Sequence, residues 1–174
     1  MRVEVVENIP ERGAGVAGDA AAVKLALKNF TSALQGDDSF FDSRPIGNWQ
    51  VAIEGDGRAT CSGGFVLSLR GKEAGRNRGL HFQLVQKLVE LLKNAGSPEI
   101  LKARLCLSSE TEQESGQAVF SVRMELESVG DSNEQAALRW GLGLAHLQQA
   151  LLFTSRYLRQ QSSQKKELTD SEEH

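Results

Sequence analysis

Apolar positions recur in this chain with two periods, and the order in which those periods alternate predicts its elements. Beginning at Trp49 the period is two. Trp49, Val51 and Ile53 fall on one side, Glu54-Gly55-Asp56-Gly57 makes a turn, and Ala59, Cys61, Phe65, Leu67 and Leu69 return on the same side as a hairpin. Gly63 and Gly64 read as a bulge or bend in the second strand. The period then changes to 3.6. A helix from about Leu80 to Ala95 carries Leu84, Val85, Leu88, Leu91, Leu92 and Ala95 on one side and Gln83, Lys87, Glu90 and Asn94 on the other, stopped by Gly96 and Pro98. A second hairpin follows. It turns Leu101, Ala103, Leu105 and Leu107 inward, crosses a polar stretch from about Ser108 to Gln117, and turns Ala118, Phe120, Val122, Met124 and Leu126 inward again.

Upstream, Arg2 to Val6 reads as a short strand, and Asp19 caps a helix reaching about Gln35 whose Val23, Ala26, Leu27, Phe30 and Leu34 form one stripe. Downstream, Ser132 and Gln135 form a capping box for a last helix that runs to about Gln161. The order is βαββαββα. It predicts one α+β domain over residues 1–160, an antiparallel sheet of four to five strands with helices packed on one face, a ferredoxin-like variant whose other face meets water or a partner. Residues 161–174, rich in Gln, Ser, Lys and Glu, read as a solvated tail.

The last helix is apolar on two sides, whereas a helix that only closes its own domain needs one. Trp140, Leu144, Leu147, Leu151 and Leu158 form the first stripe, with Thr154 in its one gap; Leu138, Leu142, Phe153 and Tyr157 form the second. Between them Ala137, Gly141 and Ala145 make a ridge of small residues that admits a second backbone. The pattern leaves open which stripe faces the domain. Either way one of them is surplus, and that predicts a protein partner.

Composition narrows the field without naming a reaction. A formal net charge of -3 over 174 residues gives no electrostatic footprint for DNA, RNA or anionic lipid. The outward positions of the strands (Gln50, Glu54, Thr60, Ser62, Ser68, Arg70, Lys102, Arg104, Arg123, Glu125 and Glu127) hold no aromatic on which a base could stack. Pairing of Lys102 and Arg104 with Glu125 and Glu127 accounts for their charges. Cys61 and Cys106 lack metal spacing and fit unpaired thiols in a reducing compartment. His81, His146 and His174 have no second ligand at metal spacing. No charged-then-apolar leader opens the chain, so a soluble cytoplasmic protein with no cofactor and no metal is expected.

Two glycine-bearing loops resemble anion-binding motifs. Gly13-Ala14-Gly15-Val16-Ala17-Gly18 spells GxGxxG, but Asn8 to Arg12 separate it from any strand, and the dinucleotide fingerprint needs an apolar strand running straight into its first glycine. The second loop runs from Gly71 to Gly79 between a strand and a helix start, and there Lys72, Arg76, Arg78 and the amide of Gly79 are positioned to hold an anion. It resembles the pyrophosphate loop of GNAT-type acetyltransferases: Arg76 and Gly79 match, while His81 stands where that pattern has a second small residue. The resemblance covers this loop and its helix alone and implies an acyl-carrier or phosphoryl-carrier ligand. Among the remaining candidates, Phe40 and Phe41 lie among acids and one of them should plug the core edge. Glu110, Glu112 and Glu114 read as a solvated hairpin tip.

The reading that follows is a non-catalytic association subunit, a homo-oligomer or a component of a larger complex, that binds protein through its last helix. The two alternatives are an enzyme that takes an anionic cofactor at Gly71–Gly79 and a secretion-type chaperone that clamps an unfolded segment.

Overall fold

The computed structural model describes residues 1–9, 25, 28–30, 32, 41–45, 50–53, 58–94 and 99–172, and the side chains of these apart from 45, 50–53 and 154–172. Its elements are β1 (Arg2–Val5), β2 (Phe41–Pro45), β3 (Gln50–Ile53), β4 (Ala59–Leu69), the single turn α1 (Lys72–Gly75), α2 (Arg78–Asn94), β5 (Lys102–Thr111), β6 (Ala118–Gly130) and α3 (Asn133–Glu172). Leu25, Lys28, Asn29, Phe30 and Ser32 are helical as well. The GxGxxG stretch, Trp49, the Glu54–Gly57 turn and Phe40 lie outside the described residues.

All six strands join one sheet in the order β1-β5-β6-β4-β2, with β3 also on β4. The sheet is mixed: β1 runs parallel to β5, and every other pair is antiparallel. This corrects the expected purely antiparallel sheet, and the strand order does not confirm a ferredoxin-like one. The period-two pattern of Arg2–Val5 is the same for either strand direction, so the pattern carried no signal for the parallel pairing. At the centre, α2 connects β4 to β5, which point the same way with β6 between them, a split crossover unit.

Gly63 and Gly64 do not bulge β4. Its register against β6 is unbroken from Ala59↔Gly130 to Leu67↔Val122. The irregularity sits on the other edge, where β2 pairs with Phe65–Leu69 and β3 with Ala59–Ser62, so four residues (46–49) separate two strands that flank only Gly63 and Gly64. Pro45 ends β2, at an edge of the sheet where proline is tolerated. The hairpin turn between β5 and β6 is also shorter than expected, because Ser108 to Thr111 continue the ladder opposite Ser121 to Ala118.

One hydrophobic core lies between the sheet and the helices, and it contains Phe30, Phe41, Phe65, Leu67, Leu84, Leu88, Leu105, Met124, Leu126, Trp140, Leu144 and Leu151. Phe30 and Phe65 pack with ring centroids 4.6 Å apart. Leu101, just before β5, and Ala118, the first residue of β6, both expected inward, are exposed. The opposite sheet face is not simply solvated: Val66, Cys106, Ser62 and Glu125 are buried there. Ile9 is buried too, and Cys106 donates its S–H to the carbonyl of Glu7 at 3.1 Å, so the residues after β1 fold over that face. On it Arg104 pairs with Glu125 across β5 and β6 as the charge pattern predicts, whereas Lys102 pairs with Glu4 of β1 at 3.5 Å.

Candidate interaction surface

α3 begins where the sequence predicts. The hydroxyl of Ser132 accepts the N–H of Gln135 at 3.1 Å, and the Gln135 side-chain oxygen accepts the N–H of Asp131 at 2.6 Å. Three bonds then fix how the helix is turned on the sheet. Ser128 donates its hydroxyl to the carbonyl of Ala136 at 2.7 Å, Arg139 donates to the carbonyl of Val129 at 2.9 Å, and the indole N–H of Trp140 donates to the carbonyl of Leu126 at 2.9 Å. All three carbonyl or hydroxyl groups on the strand side belong to β6. The helix runs for 40 residues to Glu172, through the segment read as a tail, and spans about 60 Å.

This orientation decides between the two stripes. Trp140, Leu144, Leu147 and Leu151 are buried in the domain's own core, so these four residues of the first stripe are not free to meet a partner. Leu138, Leu142 and Phe153 stand outward with 61%, 46% and 73% of their surface exposed. The side chains of Tyr157 and Leu158 fall outside the described ones. The ridge of small residues lies in a shallow groove, where Ala137, Gly141 and Ala145 are lined up with Leu138 and Leu142 of the same helix and with Leu25 and Asn29. Leu25 is itself exposed. It lies off the Val23–Leu34 stripe on the helical wheel, a signal that the stripe alone conceals.

The Gly71–Gly79 loop is built differently from an anion cradle. Arg76 donates to Glu112 at 3.1 Å, and Ser115 donates to the same carboxylate at 2.9 Å. These two hydrogen bonds, the Arg76 one first, hold the Glu112 carboxyl below its usual range. Glu112 is therefore the partner of this loop while staying partly exposed at the hairpin tip, and Glu110, exposed as well, lies 3.7 Å from Arg44 and 3.8 Å from Arg123. At the start of α2, Asn77 caps the helix by accepting the N–H of Leu80 at 3.0 Å, so a side chain already occupies the donor position an anion would use. Lys72 and Arg78 are exposed. Asp42 stands beside Lys72 and Arg76 on the rim of the same cleft.

His81 is fully buried and satisfied. Its Nδ1 lies 2.8 Å from the carbonyl of Asn77 and its Nε2 accepts the N–H of Leu69 at 3.1 Å. His146 is exposed and lies 3.6 Å from Glu99. Cys61 and Cys106 are free thiols; burial pushes Cys61 up to about 12 against a hydrogen bond to Ser128, and raises Cys106 as well. Among the described residues, no group of three or more His, Cys, Asp or Glu is placed to hold a metal ion, and no helix is long and apolar enough to cross a membrane.

No family model, curated protein or solved structure matches the chain significantly.

Proposed function

We propose that this chain is a non-catalytic association subunit that presents the outer face of α3 to another protein, either a second copy or a different component of a complex. One observation carries the reading: Leu138, Leu142 and Phe153 remain exposed on a helix whose other stripe already closes the core. Each large apolar side chain is worth about 1.5–3 kcal/mol when fully buried, so these three favour association, and the rest of a stable interface has to come from the surface around them. The engagement of Arg76 by Glu112 weighs against the cofactor-binding enzyme, because that cation would have to be released before it met an anion.

The test compares the wild-type chain with Leu138→Glu/Phe153→Ser by mass in solution and by the proteins that copurify. Association lost at an unchanged melting temperature supports the reading. A double variant that keeps every association of the wild type overturns it.

A further inference from the structure

β1 closes one end of the strand order, and among the described residues no strand pairs with its outer edge. Arg2 and Val6 donate their N–H groups to the carbonyls of Leu101 and Leu105 in the β5 direction, at 2.9 and 2.8 Å. In a parallel ladder the alternate residues, Val3 and Val5, therefore turn their N–H and C=O groups away from β5. Among the described residues no strand covers them. Val5 is 62% exposed and Met1 44%, so apolar side chains accompany the open backbone groups. Exposed edges of this kind are usually blunted by charged side chains, Pro or a bulge, and repel a second copy most when those charges are alike. Here the charges flanking Val3 are opposite: Arg2 on one side, Glu4 on the other.

From that arrangement we infer that β1 pairs antiparallel with β1 of a second copy of this chain, centred on Val3, to join two sheets into one. With the two-fold axis at Val3, Arg2 of one copy lies opposite Glu4 of the other, twice, on one face of the joined sheet. Met1 lies opposite Val5, twice, on the other face. Val3 exchanges both of its backbone bonds with its counterpart, and Val5 donates to the carbonyl of Met1. The charges also select the register, since parallel pairing in register would set Arg2 against Arg2 and Glu4 against Glu4. In the single chain Arg2 bonds Glu4 at 2.7 Å and Lys102 also reaches Glu4 at 3.5 Å. Pairing moves Arg2 to the neighbouring copy's Glu4 and leaves Lys102 in place.

Light scattering on the full chain, from micromolar to millimolar concentration, tests the inference. The wild type forms a dimer. Arg2→Glu and Glu4→Arg each weaken it about tenfold or more, because each turns two attractive pairs into two repulsive ones, and the double exchange restores it. Val3→Pro abolishes the dimer while circular dichroism still reports a folded chain, since the N–H it removes points away from β5; the melting temperature falls somewhat because the Val3 side chain also packs against the core. Should Glu4→Arg unfold through its contact with Lys102, Arg2→Glu and Val3→Pro carry the comparison. A wild type that stays monomeric throughout, or a dimer indifferent to these changes, overturns the inference. So does a dimer that dissociates on Leu138→Glu/Phe153→Ser and survives Val3→Pro, an outcome that assigns self-association to α3 instead. The β1 surface is separate from α3, so either reading can fail alone.

Discussion

Leu69 donates its backbone N–H to Nε2 of His81 across 3.1 Å, which ties the end of β4 to the first turn of α2. The carbonyl of Asn77 has only lone pairs to offer, so Nδ1 carries the proton and the ring is a neutral connector between strand and helix. Replacing it with Leu leaves the Leu69 N–H and one acceptor site of Asn77 without a partner in a buried place. His81→Leu should cost about 1–3 kcal/mol in urea unfolding at an unchanged slope. A loss below a few tenths would mean that water takes over both bonds.

Gly143 sits where α3 crosses Ile100. A Cβ there would overlap Cγ1 and Cδ1 of Ile100. In an open helix Gly→Ala gains about 1 kcal/mol, whereas Gly143→Ala should cost about 1–3 kcal/mol by overpacking. The cost should vanish or change sign in an Ile100→Ala background, measured as a double-mutant cycle. Gly130→Ala has no such remedy: its Cβ would lie 2.7 Å from the backbone nitrogen of Ala136, and backbone does not yield.

Glu112 should titrate below its ordinary value of 4.5 in the folded chain because Arg76 and Ser115 bond its charged form. A depressed carboxyl binds fewer protons folded than unfolded, so its stabilisation is present above the unfolded value and disappears as pH falls through the folded one. Carbon-detected NMR of the carboxyl should find the shift, and Arg76→Ala should return it towards the ordinary value. A midpoint that stays low without Arg76 would exclude the guanidinium as its main cause.

Burial raises Cys61 to about 12, against an ordinary thiol value of 9.0. Between those two values the unfolded chain has lost a proton that the folded chain keeps. Stability should therefore decline as pH rises from about 9, and Cys61→Ala should remove that part of the slope. In the native protein at pH 8 both thiols should resist alkylation and react on unfolding, which mass spectrometry reads directly. Rapid native labelling of Cys61 would contradict its burial.

Much of the fold was legible in particular residues. Alternation placed Ala103, Leu105, Val122, Met124 and Leu126 on the buried face, and they are there. Ser132 and Gln135 marked the start of α3, and one of two adjacent phenylalanines, Phe41, plugs the core. The cross-strand partner of Arg104 was readable because opposite charges recur at matching offsets on β5 and β6. The Gly71–Gly79 loop was less transparent. Its cations suggested an anion, yet the anion that meets Arg76 is a glutamate of the chain itself, Glu112, 36 residues away.

By itself, then, the sequence determined the element types, the inward positions of the strands and the two apolar stripes of the last helix, because side-chain period is a local property that each segment carries alone. Tertiary structure alone decided three things. β1 lies parallel beside β5, the Trp140 stripe rather than the Leu138 stripe turns inward, and the far face of the sheet is partly buried under Glu7 and Ile9. A strand has the same alternation whichever neighbour it takes and in whichever direction. A helix with two apolar sides is held in one rotation only by contacts made elsewhere, here the β6 groups that bond Ala136, Arg139 and Trp140.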